Sequence, residues 1–166
     1  MMNEMDRNAG LLAECLEEIN SSLIEMTAIF RVKRQVLARA DMAALDGLLA
    51  REEAVAEALF NAETRREVLA EQLAAAAGAS RERLADIAAK VDGGAGEVLV
   101  ETGIRLRETI GVLAREAGIV ADICRAATDH YDKLIRIVTG ANTAATYTPV
   151  GPAAGAASRS IIDQAL

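Results

Sequence analysis

Residues 99–138 read LVETGIRLRETIGVLAREAGIVADICRAATDHYDKLIRIV. Within them Leu99, Gly103, Leu106, Ile110, Leu113, Ala117, Val120, Cys124, Ala127, Tyr131, Leu134 and Val138 recur at steps of four and three in unbroken alternation. That spacing keeps one stripe of an α-helix against a neighbour, so it predicts a coiled-coil helix over 96–139. A second apolar set, Val100, Ile104, Val112, Ile119, Ile123, Ile135 and Ile137, widens the stripe beyond a two-stranded contact. Such a helix is expected to touch two neighbours or to leave a groove.

Working back from this helix, Gly93-Gly94-Ala95-Gly96 reads as a hinge between helices, with a continuous helix carrying a local defect as the alternative. Before it, Ser80 is a good N-cap for a short helix over 81–91 whose apolar residues are Leu84, Ile87 and Val91. Gly78 suits the left-handed conformation that closes many helices, here one predicted over 42–77. Its stripe is Leu45, Leu48, Glu52, Val55, Leu59, Ala62, Arg66, Leu69 and Leu73, with Glu52 and Arg66 as polar interruptions suited to fixing register. Asp41 is placed to accept a hydrogen bond from an orphan amide at its start. The turn before it is therefore tight, and the preceding helix, predicted over 8–39, is an antiparallel neighbour. That first stripe runs Leu12, Leu16, Ile19, Leu23, Met26, Phe30, Lys33, Leu37, and only Lys33 interrupts it. Its aliphatic stem is expected to lie along the seam while the ammonium reaches water.

Working forward, the pattern stops at Gly140, and 140–166 offers too little apolar surface to offset the entropy of ordering. The expected organisation is a helical bundle domain over 1–139 and a flexible tail over 140–166, whose final Ile161, Ile162, Ala165 and Leu166 suit a helical turn or two. At ~1.5 Å per residue the three long helices span roughly 48, 54 and 66 Å. The fold class is all-α, an elongated antiparallel bundle or coiled coil of three long helices and one short one.

Composition agrees. Hydrophobic residues make up 52% of the 166, enough for a continuous seam, while aromatics make up 2% and Trp is absent, so helices packed side by side suit the chain better than a globular core. The net charge is −7, with Lys and Arg dispersed among acidic residues, which disfavours nucleic acid and anionic bilayers as partners. The first ten residues lack a positive n-region, and no run of ~18 apolar residues occurs, which points to a cytoplasmic protein without membrane insertion. Cys15 and Cys124 both fall in helical apolar patterns and read as buried small hydrophobes.

No residue set supports catalysis. His130 is the sole histidine and lacks companions for a metal site or a positioned nucleophile. Glu17-Glu18 and Glu52-Glu53 are adjacent on their helices and point apart. The glycines at 93, 94 and 96 are followed by no Lys-Ser or Lys-Thr, so they form no phosphate loop. No cofactor and no metal are expected, and the chain reads as a binding protein, not an enzyme.

Three stretches carry a family resemblance. They are the hairpin, from Lys33-Arg34 and Leu37 through Asp41, Leu45, Leu48 and Glu52-Glu53 to Leu59, Glu63 and Arg65-Arg66; the long C-terminal heptad helix; and the tail opening with Thr146-Tyr147-Thr148-Pro149-Val150-Gly151. Together they resemble the FlgN family, flagellar type III export chaperones for the hook-associated proteins of the hook–filament junction. The resemblance implies that the protein binds C-terminal helical segments of hook-associated subunits, prevents their premature assembly in the cytoplasm and delivers them to a component of the export gate. It places the client on the C-terminal half of the last helix, at Val120, Ile123, Cys124, Ala127, Tyr131, Leu134, Ile135 and Val138; separately, Tyr147, the one aromatic in the tail, reads as a docking residue or as part of a spacer. The same residues would serve equally as intramolecular core, or as the seam of a self-associating coiled coil, that is, a homo-oligomer. A small helical adaptor is the remaining alternative.

Overall fold

The computed structural model describes residues 4–78, 84–91 and 94–139. These residues are all-α, forming α1 (Glu4–Ala38), α2 (Met42–Ala77), α3 (Leu84–Ala88) and α4 (Gly94–Val138). The chain divides into two compact units, Met1–Val120 and Ala121–Leu166, and α4 contributes to both.

Helix α1 starts earlier than the seam of large residues suggested, because Met5 and the fully buried Ala9 add a turn to the core. It closes through Ala40, which adopts φ 52° while the Asp41 amide donates to the Val36 carbonyl at 3.2 Å. A left-handed residue at this place satisfies carbonyls that the helix leaves open. Asp41 then caps α2, its side chain accepting from the Ala44 amide at 3.1 Å. At the other end Gly78, at φ 60°, donates its amide to Ala74 and Ala75.

Helix α3 ends at Ala88, before the predicted 91, and residues 79–83, with Ser80 and Arg81, lie outside the described residues. After Ala88 the Lys90 amide bonds Ile87 at 3.0 Å and the Val91 amide bonds Ala88 at 3.3 Å. These three-residue turns end the helix, yet Ile87 and Val91 both reach the core. The glycine run also differs from expectation. Gly94 begins α4, and Gly96 lies buried in its first turn, where an added Cβ would meet the Ala88 carbonyl oxygen at 2.4 Å. Gly94 and Gly96 are thus within the helix and Gly96 serves close packing; residues 92 and 93 lie outside the described residues.

Within the first unit, α1 and α2 are antiparallel. Glu18 pairs with Arg65 near one end and Lys33 with Glu52 near the other, so residue numbers fall along one helix as they rise along the other, and Arg51 pairs with Glu25. Their Cα atoms come within 8 Å, which small residues at the contact allow: Ala9, Ala13, Ala62, Ala70 and Ala74 are buried, and the Cys15 thiol donates to the Ala62 carbonyl at 3.2 Å. Helix α4 scarcely comes that near to either. Leu99, Leu106 and Leu113 hold it through their side chains, at the spacing that large knobs impose. In this unit α4 runs parallel to α1, since Glu17 and Asn20 meet Arg105 and Thr109, while Arg31 and Arg34 meet Glu116. The arrangement is up, down, up.

Fully buried Leu12, Ile29, Leu73, Ile87 and Leu99 anchor the core. Burial of each is worth ~2 kcal/mol. Ile29, not Phe30, is the deeply buried residue near the far end of α1, and Phe30 packs at its edge.

Candidate partner-binding site

The chemistry of α4 depends on its rotation about its own axis. Leu99, Leu106, Leu113 and Val120, every seventh residue, form its inner stripe. The intervening positions toward α1 are polar. The Thr102 hydroxyl donates to Glu17 Oε1 at 3.2 Å, and Arg105 bonds the same oxygen. Further along, Thr109 Oγ1 donates to Asn20 Oδ1 at 2.7 Å, and Glu116 accepts from Arg31 at 3.1 Å and from Arg34 at 3.5 Å. Thus Gly103 and Ile110, alternate members of the predicted seam, lie apart from these polar contacts with α1.

They face a groove. Its cavity of about 1050 Å³ has a floor of Leu12, Leu16, Ile19 and Leu23 from α1. One wall is Leu59, Phe60, Glu63, Arg66 and Ala70 of α2, and the other is Val100, Gly103, Ile104, Leu106, Arg107 and Ile110 of α4, while Leu84, Ala85 and Ile87 of α3 also line it. Phe60 is 72% exposed and Ile104 54% exposed. Ionic groups stand on the walls. Arg66 grips Glu63 in two hydrogen bonds of 2.8 and 2.5 Å. That grip holds the Glu63 carboxyl below its ordinary range and raises the Arg66 guanidinium further. Arg107, on the opposite wall, has no ion pair among the described residues. The groove escaped the seam reading because Phe60 stands one place off the α2 stripe. The second apolar set on α4, which includes Val100 and Ile104, was its legible sign.

The second unit presents a different surface, residues 121–138 of α4. Of the residues expected to meet a partner, Val120 closes the first unit and is buried, and Ile123 is half-buried. Cys124, Ala127, Tyr131, Leu134, Ile135 and Val138 are exposed. Cys124 therefore departs from the expectation of a buried cysteine, since no described side chain packs over it, whereas Cys15 is buried as expected. Tyr147 lies outside the described residues. Tyr131 is 64% and Ile135 58% exposed, and Ile137 joins them outside the seam. The charged groups interleaved with them include Asp129 and Asp132, neither of which forms an ion pair among the described residues. His130 is exposed with its ring edge-on to Tyr131, centroids 6.4 Å apart. Among the described residues no group of three or more His, Cys, Asp or Glu is placed to hold a metal ion, and no helix is long and apolar enough to cross a membrane.

The fold and these surfaces define a class: an all-α bundle with apolar helix surface left exposed among the described residues. The family model described as FlgN protein matches residues 3–155, and the chain belongs to that family, whose role is flagellar export chaperoning. No curated protein and no solved structure matches the chain.

Proposed function

We propose that the protein is a cytoplasmic chaperone that binds C-terminal helical segments of flagellar hook-associated proteins, stops them assembling early and delivers them to the type III export apparatus. The observation that carries this reading is the set of exposed apolar residues between Cys124 and Val138, with half-buried Ile123 at its start, written on a helix at coiled-coil spacing. A client's amphipathic helix laid along Ile123, Cys124, Ala127, Tyr131, Leu134, Ile135 and Val138, with Val120 at the inner edge, would remove that surface from water. Contacts of this kind lack fixed polar geometry, so they release quickly once a competing acceptor is present. Tyr147 serves as a docking residue for a partner.

Leu134→Glu and Ile135→Glu test the reading, because both positions are exposed and the variants keep the fold. Titrating each against the C-terminal segment of a hook-associated protein should show affinity at least about tenfold weaker than wild type, a loss of ~1.4 kcal/mol or more. Equal affinity would remove the 123–138 surface from the mechanism. Tyr147→Ala should leave client affinity unchanged and reduce export of the client; normal export would end the docking role of Tyr147.

The same run also favours self-association through α4 as a second reading. Solution mass separates the two: a chaperone gives up self-association when the client segment is added, whereas a structural oligomer keeps it.

A further inference from the structure

We propose that the groove between α2 and α4 receives an amphipathic client helix of about three turns, bearing a carboxylate on the flank that meets Arg107. This rests on the client-holding reading above and adds a second seat within the first unit, separate from the 123–138 surface.

The groove calls for a helix by its construction. Its α2 wall uses Leu59, Glu63, Arg66 and Ala70, and its α4 wall uses Val100, Gly103, Arg107 and Ile110. Both sets step by three and four, so each wall presents the ridges and gaps into which a helix packs. The two stripes extend over about ten residues each, or ~15 Å of helix, which sets the occupant at about three turns. The floor is four aliphatic side chains with no polar atom to orient a small ligand. Small-molecule sites bring convergent polar groups to a point within the cleft, whereas here Glu63, Arg66 and Arg107 stand apart on the two walls and none is on the floor.

Charge selects among helices. Arg66 neutralises Glu63 on one wall, so Arg107, without an ion pair among the described residues, is the charge left for an occupant on a protein of net charge −7. An occupant with an acidic flank gains from Arg107, whereas a second copy of this acidic chain meets overall repulsion. Gly103 matters to the fit. A Cβ there would stand 2.8 Å from Leu84 Cδ2, so the bare backbone lets Leu84 reach in beside the groove.

The full-length protein should be titrated with C-terminal segments of hook-associated proteins, comparing Phe60→Glu, Ile104→Glu and Arg107→Glu with wild type and with Ile135→Glu. All four positions are exposed, and unchanged helicity and melting temperature confirm the fold. The inference expects about tenfold or greater weakening for Phe60→Glu and Ile104→Glu. It expects a smaller loss for Arg107→Glu that shrinks as salt is raised. If wild type binds and only Ile135→Glu weakens binding, the groove inference falls and the chaperone reading stands. If wild type binds no hook-associated segment, the chaperone reading falls and takes the inference with it. If the groove variants instead abolish self-association and leave client affinity intact, a second copy is the occupant and the inference is overturned.

Discussion

Lys33 Nζ lies 2.5 Å from Glu52 Oε2, so the single interruption in the α1 stripe answers an interruption in the α2 stripe. The ammonium, expected to reach water, stays inside instead: the Lys33 side chain is 13% exposed and that of Glu52 24%. The ammonium also sits 5.5 Å from the centre of the Phe30 ring. Two charges held this way fix the register of the hairpin, because a slip of one turn would leave both without a partner.

Removing one member should therefore cost more than removing both. Lys33→Met or Glu52→Leu alone should lower stability by about 1–3 kcal/mol, since each strands the other charge in a half-buried place. The pair Lys33→Met/Glu52→Leu should recover most of that loss. Chemical denaturation of the four proteins as a double-mutant cycle measures the coupling, and additive losses would show that the two groups do not interact.

At the end of α1, Ala40 carries the only positive φ among the described non-glycine residues, 52°. A left-handed alanine costs ~1–2 kcal/mol that glycine does not incur, although glycine loses ~0.5–1 kcal/mol more backbone freedom on folding. Ala40→Gly should accordingly raise stability by up to about 1 kcal/mol. A lower denaturation midpoint would mean that the α1–α2 turn tolerates alanine without strain.

Gly96 and Gly94 make a matched pair for the α3–α4 junction. A methyl group at Gly96 would meet the Ala88 carbonyl oxygen at 2.4 Å, a backbone atom that cannot swing aside, whereas at Gly94 nothing lies within 4 Å. Gly96→Ala should destabilise by ~1–3 kcal/mol through forced separation of α3 from α4. Gly94→Ala should be neutral or slightly stabilising. Thermal melts decide it, and equal behaviour of the two variants would show that α3 does not pack as described.

These cases show where the sequence was informative. Steps of four and three identified the helices, the Asp41 cap and the Gly78 stop, because local hydrogen bonding and apolar periodicity decide all of them. The spacing does not say which neighbour each half of a stripe meets. Leu99, Leu106 and Leu113 went to the core as their pattern implied, but Gly103 and Ile110 turned to the groove. Thr102, Thr109 and Glu116 took the α1 side because Glu17, Asn20, Arg31 and Arg34 stand there to receive them. Periodicity is blind to such pairings, which depend on two helices at once. Cys124 fits the same account, since it keeps the seam spacing and is nonetheless exposed, as is most of 123–138.

The two cysteines supply a probe of the first unit and its pH response. Cys15 is buried, its thiol donating to the Ala62 carbonyl, and burial raises it above the ordinary thiol range; Cys124 is exposed. A thiol reagent should titrate one group quickly in the native protein and the second only after denaturant is added. The slow reaction then reports opening of the α1–α2 contact. Because the folded state holds the Cys15 proton more tightly than the unfolded chain, its contribution is intact below the unfolded thiol value of about 8.5 and declines as pH rises through the higher folded value. Stability should thus fall on the alkaline side, and Cys15→Ala should flatten that decline while Cys124→Ala leaves it unchanged. Denaturation midpoints between neutral pH and pH 10 test the sign, and a slope indifferent to Cys15→Ala would mean that the thiol does not couple to folding.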